Sequence, residues 1–152
     1  MSENLLVTRI GYTYVPTANI EQSIDWYVRN LELRLVQSLE DRGSRIAVLH
    51  YPHLHAIALL LVETNAKQPL EINRNGAAFP IMAMNCPDIE NTYNRLTQNG
   101  VDIVKPLTAL GAGEARYFYF RDNEGNLLEG AWSIWDPEDA VKESFGTTRN
   151  HT

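Results

Sequence analysis

Glu129 is the residue of this 152-residue chain whose type and surroundings most favour chemistry. It lies in the run Leu127-Leu128-Glu129-Gly130-Ala131, a short apolar stretch typical of a strand. Because side chains alternate along a strand, Leu127, Glu129 and Ala131 share one face. A carboxylate with apolar neighbours is desolvated, so the pKa of Glu129 should rise unless a cation pairs with it. The alternative is a solvated carboxylate on a strand surface, and the residues alone leave both interpretations open.

Histidine and cysteine supply the other chemistry-bearing side chains. His50, His53 and His55 fall within six residues and could bind zinc or nickel. Pro52 and the position between two strand-like runs favour instead a turn that faces solvent. Cys86 has no histidine placed beside it by any motif, so we interpret it as a buried small hydrophobe and not as a nucleophile.

Several classes of protein are disfavoured by what the sequence contains. There is no GxSxG, phosphate loop or dinucleotide fingerprint to support a hydrolase, kinase or dehydrogenase. The net charge of −6 and the scattered distribution of 13 Lys and Arg argue against nucleic-acid binding. No apolar run approaches the ~20 residues that span a bilayer, so no membrane association is expected. The single cysteine and an N-terminus unlike a secretory signal predict a cytoplasmic protein.

Two short amphipathic helices must position these residues. The first is predicted over 20–31 with Asn19 as its N-cap, and the second begins after Asp88 and is stopped by Gly100 in a left-handed conformation. Strand-like runs precede the helices at 9–15 and 78–84, and three more runs follow each helix. The element order is therefore strand, helix and three strands, twice.

The chain matches itself when it is shifted by 69 residues, which aligns Asn19 with Asp88 and Ile20 with Ile89. The later strands continue at an offset of 71. We predict two copies of one βαβββ module, over 1–65 and 78–135, joined by a polar linker at 66–77. Residues 136–152 are predicted as a tail with a short helix from Asp136, followed by disorder, which could cap the sheet or a partner subunit.

Two phrases resemble a known family, the vicinal oxygen chelate superfamily of glyoxalases, extradiol dioxygenases, fosfomycin-resistance enzymes and bleomycin-binding proteins. NIEQSIDWYVRNLEL resembles its first helix, and FRDNEGNLLEGAW is similar to its closing hairpin. The resemblance implies an α+β fold of the glyoxalase/bleomycin-resistance type, in which the two βαβββ modules form an open, cup-shaped mixed sheet. Glu32 stands where the family usually has Gly, and because Glu is a poor left-handed residue, we expect that turn to be rebuilt.

The resemblance also implies where a metal would be held. In the enzymes of the superfamily a divalent metal sits on the cup floor, and its four ligand positions fall here on Tyr12, Ala58, Ile81 and Glu129. Ile and Ala have no donor atoms, and of the four only Glu129 is an ordinary metal ligand. We therefore expect no metal cofactor, with a divalent metal as the alternative.

Strand alternation, combined with the resemblance, predicts the side chains that line the cup. They are Ile10, Tyr12, Tyr14, Arg45, Ala47, Leu49, Phe79, Ile81, Ala83, Arg116, Phe118, Phe120 and Glu129. Aromatic and aliphatic walls with few polar groups suit a small apolar or aromatic molecule. Arg45 or Arg116 could neutralise Glu129 or hold a ligand carboxylate, or both could be solvated strand ends. For the aromatic residues, the alternative is plain core packing.

Three functions are compatible with these residues. The favoured one resembles bleomycin resistance: a metal-free homodimer that binds a small organic molecule in the cup, where the acidic net charge suits a cationic ligand. The alternative is a glyoxalase-like lyase or isomerase, or a dioxygenase with an unusual metal set. In the lyase, Glu129 would act as catalytic base, Tyr12 as acid or metal ligand, and Arg116 would stabilise an enolate. A third is an interaction module whose tail at 136–152 docks a partner.

Overall fold

The structure is a computed structural model that describes residues 5–136. The helices are α1 (Ile20–Leu31) and α2 (Ile89–Gln98). The strands are β1 (Tyr12–Thr17), β2 (Arg34–Asp41), β3 (Ser44–His50), β4 (Ala58–Glu63), β5 (Ile72–Arg74), β6 (Ala77–Phe79), β7 (Met82–Asn85), β8 (Asp102–Leu110), β9 (Ala115–Arg121) and β10 (Leu127–Ser133). The predicted helix and disorder of the tail lie outside the described residues. Neither helix within 5–136 has the length and apolar character needed to cross a membrane.

The two halves of the chain repeat one topology. The first sheet has the strand order β1-β4-β3-β2 and the second has the order β7-β10-β9-β8. In each sheet the first pair of strands is parallel and the other pairs are antiparallel. Helix α1 packs on the first sheet and α2 on the second. The predicted α+β fold, with two βαβββ units and open mixed sheets, is confirmed.

Both helices begin at the predicted caps. Asn19 Oδ1 accepts a hydrogen bond from the Gln22 N–H at 3.1 Å, and Asp88 Oδ1 accepts one from the Asn91 N–H at 3.2 Å. These bonds satisfy backbone donors that the first helical turn leaves unpaired. Gly100 follows α2 with a φ of 78°, the left-handed conformation expected of it.

The turn after α1 is not rebuilt, so our expectation for Glu32 is wrong. Glu32 itself adopts the left-handed conformation, with φ 58° and ψ 32°, and its N–H donates to the Tyr27 carbonyl. The backbone closes the helix as a glycine would, at the steric cost of a Cβ in this region. Glu32 also forms an exposed ion pair with Arg95, at 3.2 Å, and this offsets only a small part of the steric cost.

Replacing Glu32 with Gly is therefore expected to stabilise the protein by about 0.5–1 kcal/mol, because relief of the left-handed strain outweighs one exposed ion pair. Urea unfolding followed by tryptophan fluorescence measures this free energy. The variant Glu32→Gln removes the charge but keeps the Cβ, so it should be neutral or slightly destabilising. Equal effects of the two substitutions would show that the turn carries no strain.

The segment predicted as a polar linker, 66–77, contains most of a β-hairpin. Strands β5 and β6 pair from Ile72↔Phe79 to Arg74↔Ala77. Asn75 and Gly76 form the turn, with φ values of 55° and 87°, which is the Asn-Gly signature of a two-residue hairpin. The strand predicted over 78–84 is interrupted at Pro80, whose missing N–H separates β6 from β7.

The core lies between the helices and the sheet faces that they cover, and it runs across both modules. Where the two modules meet, the Trp26 ring of α1 stacks on Phe120 of β9, with centroids 6.4 Å apart. The neighbouring Tyr27 is fully buried, and its hydroxyl donates to Asp122 Oδ2 at 2.5 Å. Helix α1 therefore packs against its own sheet and against the β9–β10 hairpin of the second module.

Asp122 is a buried acceptor for several donors. In addition to Tyr27, its carboxylate accepts from the backbone N–H groups of Glu124 and Asn126, at 2.9 and 3.0 Å, and from the Asn126 side-chain amide at 2.9 Å. The Asn126 amide oxygen in turn accepts from the Leu70 N–H at 2.8 Å. We call Tyr27, Asp122 and Asn126 the Asp122 cluster. It fixes the predicted DNEG turn and ties α1 to it.

Candidate functional site

Each sheet has one face covered by its helix and one face without a helix, which we call its open face. On β3 the covered face carries Ala47 and Leu49, both fully buried in the core, and Arg45, which pairs with Glu21 of α1 at 2.6 Å. The prediction that these three residues line the cup is wrong. The open face of β3 carries the other alternating set, which includes Val48.

On β9 too, the predicted cup residues lie on the face that the helix covers. Phe118 and Phe120 are buried in the core, where Phe118 contacts Tyr93 of α2, with ring centroids 5.2 Å apart. Arg116 pairs with Glu90 of α2 at 2.9 Å. These predicted cup residues therefore lie on the covered face, and the open face of β9 presents the alternate residues.

The open face of the first sheet forms an apolar cavity of about 710 Å³. It is lined by Tyr14, Pro16, Leu39, Asp41, Arg42, Ser44, Ile46, Val48, Leu60, Val62 and Leu70. Tyr12 and Tyr14 lie on this side of β1, and both are 59% exposed. Ile10 precedes β1 and is also exposed. Of the predicted first-module residues, the tyrosines of β1 thus lie at the open face.

The open face of the second sheet carries Glu129. The strand register places Lys105, Tyr119, Glu129 and Ala83 side by side on four adjacent strands, in that order. Directly opposed residues in neighbouring strands share a face. The result is a row of a cation, a phenol, a carboxyl group and a small side chain, which we call the Glu129 row.

Aromatic rings and cations surround this row. The rings of Tyr117 and Tyr119 lie 5.6 Å apart, and the Phe79 ring meets Tyr119 edge-on at 6.1 Å. Lys105 Nζ lies 5.7 Å from the Tyr117 centroid and 5.9 Å from the Tyr119 centroid. The Arg74 guanidinium lies 4.8 Å from the Phe79 centroid. The hairpin in the supposed linker therefore delivers two residues, Arg74 and Phe79, to the site.

Glu129 is partly buried and forms no ion pair or hydrogen bond with any residue of 5–136. Burial among these side chains raises the pKa of the Glu129 carboxyl above its ordinary value. The pKa of Tyr119 is also raised, first by burial and then by the charges of Glu129 and Tyr117, while Arg74 opposes the change. Both groups therefore keep their protons to a higher pH than they would in water. Perturbed pKa values of this kind cluster at functional sites.

Replacing Glu129 with Gln is expected to stabilise the protein at pH 7. Because the folded state raises the pKa of Glu129, the stability contributed by this group is present below its unfolded value near 4.5 and is lost as the pH rises through the folded value. The variant keeps that stability at neutral pH, so its advantage should shrink as the pH falls towards 4. Urea unfolding at several pH values measures this trend. Glu40→Gln, on an exposed side chain, is the matched control, and identical pH trends for the two variants would contradict the account.

The residues present do not fit a divalent metal at the positions used by the superfamily's enzymes. Within 5–136, no group of three or more His, Cys, Asp or Glu side chains is close enough to hold an ion. The open-face neighbour of Glu129 on β7 is Ala83. The predicted ligand position Ile81 packs against the core instead of lying beside Glu129.

The counterpart of Glu129 in the first module differs from the one predicted. The offset between the modules is 71 from β3 to β9, but it returns to 69 from β4 to β10, because the loop 51–57 is two residues longer than the loop 122–126. Leu60, and not Ala58, therefore corresponds to Glu129. The registers agree, since Tyr14 pairs with Leu60 as Ala83 pairs with Glu129. The first-module position is apolar with either assignment.

The remaining candidates lie away from this site. His50 ends β3, and His53 and His55 occupy the loop 51–57, where their rings are 6.1 Å apart and the His55 N–H donates to His53 Nδ1. They belong to no cluster that could hold a metal within the described chain. Cys86 is buried, as its interpretation as a small hydrophobe requires.

Four residues of this site were not predicted from the sequence: Arg74, Lys105, Tyr117 and Tyr119. The predicted DNEG hairpin contained the signal for Tyr119, because a turn over 122–126 places Arg121 opposite Leu127 and hence Tyr119 opposite Glu129. Lys105 could not be placed in this way, since β8 pairs with β9 through two register shifts.

Comparison with known proteins identifies the family. A family model described as Glyoxalase/Bleomycin resistance protein/Dioxygenase superfamily matches residues 9–129. The chain therefore belongs to this superfamily, as the resemblance of its first helix and closing hairpin predicted. A sequence search of curated proteins gives no match.

Solved structures share the fold at low sequence identity. A superfamily domain from Frankia sp. EAN1pec is 15% identical with a TM-score of 0.69, and the match covers 86% of this chain and 96% of that one. TioX from Micromonospora sp. ML1 is 22% identical with a TM-score of 0.62, over 84% and 100% of the two chains. The fosfomycin resistance protein FosX from Listeria monocytogenes is 15% identical with a TM-score of 0.65, over 86% and 97%. At these identities the comparisons establish the fold alone.

Proposed function

We propose that this chain is a metal-free, small-molecule-binding member of the superfamily that holds its ligand against the open faces of its sheets. The observation that carries the proposal is the Glu129 row, in which a phenol and a carboxyl group without a partner in 5–136 lie among aromatic rings. Binding sites for small molecules combine apolar and aromatic walls with a few polar groups that orient the ligand. The buried single cysteine fits a reducing, cytoplasmic location.

The open faces of the two sheets have complementary properties, which suits a single binding site formed by both. The first sheet supplies an apolar cavity of about 710 Å³, and the second supplies the charged and aromatic groups. Within 5–136, no hydrogen bond, ion pair or ring contact joins Tyr14 or Leu60 to Tyr119 or Glu129. We propose a homodimer in which the first open face of one protomer meets the second open face of the other.

Exposed apolar side chains support such an interface. Leu6 is 96% exposed and Val7 85% exposed, and they continue into the tyrosines of β1. Exposed apolar side chains that lie close together commonly mark a contact with another molecule. Sedimentation velocity should give a mass near twice 17.2 kDa, and a monomer at all concentrations would contradict the dimer.

The binding proposal is tested with a neutral aromatic compound, 2-naphthylmethanol, and chelator-treated protein. Saturable binding by titration calorimetry is expected, and it should be strongly weakened by Tyr119→Ala, which removes the central ring of the site. Tyr51→Phe leaves this face unchanged and should bind normally. Binding that is absent, or that does not respond to Tyr119→Ala, would contradict the proposal.

A glyoxalase-like isomerase is the second candidate, favoured by the raised pKa of the Glu129 carboxyl, which suits proton transfer. The arginine expected to stabilise its enolate, Arg116, lies on the covered face and is paired with Glu90. Arg116 therefore does not face Glu129, and the enzyme hypothesis lacks the cation that was predicted to stabilise the enolate. Hemithioacetal isomerisation that is lost in Glu129→Gln would reverse the order of the two candidates.

A further inference from the structure

Lys105 and Arg74 are cations without a carboxylate partner in residues 5–136. Six arginines of this range do have such partners: Arg29, Arg42, Arg45, Arg95, Arg116 and Arg121. Lys105 and Arg74 instead lie against aromatic rings of one cluster. A cation placed on a ring face keeps most of its charge available to a ligand, because the ring quadrupole neutralises little of it.

The local charge of this face is opposite in sign to that of the whole chain. The net charge of −6 suggested a cationic ligand, but charges beyond about 8–10 Å are largely screened at physiological salt. Near Tyr119 the charged groups are Lys105, Arg74 and Glu129, and burial favours the neutral form of Glu129. Arg121 adds little, since it pairs with Glu71 at 2.9 Å. The face therefore attracts an anion.

The spacing of the Glu129 row limits the size of the ligand. Lys105 and Glu129 are two strands apart, so their backbones are separated by about 10 Å. Tyr119 lies between them, with Tyr117 beside it as a second ring at an interplanar angle of 41°. One or two fused aromatic rings span this distance. The small side chain of Ala83 leaves space beyond Glu129.

We propose that the second open face binds a planar aromatic carboxylate, with its rings on Tyr117 and Tyr119, its carboxylate paired with Lys105 in the field of Arg74, and a hydrogen-bonding group directed to Glu129. The inference rests on the proposed function, because it names the class of ligand that the site takes. It also replaces the cationic ligand suggested by the net charge.

Three naphthalenes of matched shape test the charge preference in the full-length protein: 2-naphthoate, 2-naphthylmethanol and 2-naphthylmethylammonium. At pH 7.5 and low salt, 2-naphthoate should bind about tenfold more tightly than the alcohol, and the ammonium compound should bind most weakly. Lys105→Met, which keeps the apolar stem, should weaken 2-naphthoate about tenfold more than it weakens the alcohol. Lys67→Met, an exposed lysine outside the site, is the control and should alter neither.

The outcomes separate this inference from the proposed function. If the alcohol or the ammonium compound binds most tightly and binding still depends on Tyr119, the ligand class is wrong and the binding function stands. If 2-naphthoate binds most tightly but Lys105→Met has no effect, the proposed pairing of the ligand carboxylate with Lys105 is overturned. If none of the three compounds shows binding that depends on Tyr119, the proposed function fails together with the inference.

Discussion

The Asp122→Ala variant is expected to lose about 3–5 kcal/mol of its free energy of unfolding, because the substitution leaves several buried donors without an acceptor. Asp122 is 6% exposed and accepts from Tyr27, from two backbone N–H groups and from the Asn126 side chain. The Tyr27 hydroxyl and the Asn126 amide are themselves buried, so water cannot replace the lost acceptor without opening the hairpin. Urea unfolding followed by tryptophan fluorescence gives the magnitude.

Two further variants make this result specific. Tyr27→Phe removes one of the donors and keeps the ring, so it should cost about 1–2 kcal/mol. Asp102→Ala, at an exposed position of β8, should change stability by no more than about 0.5 kcal/mol. If Asp122→Ala costs no more than Asp102→Ala, the Asp122 cluster does not hold the two modules together.

Gly130→Ala is expected to destabilise the protein by about 1–3 kcal/mol through overpacking. A Cβ at Gly130 would lie 2.5 Å from Cε1 and 2.6 Å from Cζ of Phe118. That ring cannot move away easily, because Phe118 is fully buried between Tyr93 and Phe120, at centroid distances of 5.2 and 5.5 Å. Thermal unfolding should show a lowered Tm.

A double-mutant cycle identifies the cause. In a Phe118→Leu background the added methyl group has space, so the cost of Gly130→Ala should be much smaller than in the wild-type background. Gly11→Ala is the control, since a Cβ there meets nothing within 4 Å, and it should be close to neutral. Fully additive costs for Gly130→Ala and Phe118→Leu would show that the clash is not the cause.

The fold could be predicted because its signals are local. Asn19 and Asp88 are strong N-caps in front of amphipathic runs, and the repeat at an offset of 69 aligned the two modules. The hairpin at 72–79 was missed although Asn75-Gly76 is a turn signal, because its strands are only three residues long and show no alternation. Glu32 shows that backbone geometry can be retained when the preferred residue is absent.

The site could be predicted only in part. Glu129 could be singled out because a carboxyl group in an apolar strand is unusual, but the faces of β3 and β9 were assigned wrongly. Both alternating sets on β9 are aromatic, with Phe118 on one and Tyr119 on the other, so the pattern does not show which face is covered. The covered face of β9 is decided by packing against α2, a tertiary contact that the pattern along one strand does not contain. Arg74 could not be predicted at all, because a separate hairpin, β5–β6, brings it to the site.

Titration calorimetry of metal-stripped protein with 2-naphthoate, in parallel with Tyr119→Ala, tests the central claim most directly. We predict saturable binding in the presence of chelator, and its loss in the variant. Adding back zinc, nickel or manganese should not change the affinity. Binding that appears only after one divalent ion per chain has been restored would contradict a metal-free site built on Tyr119 and Glu129.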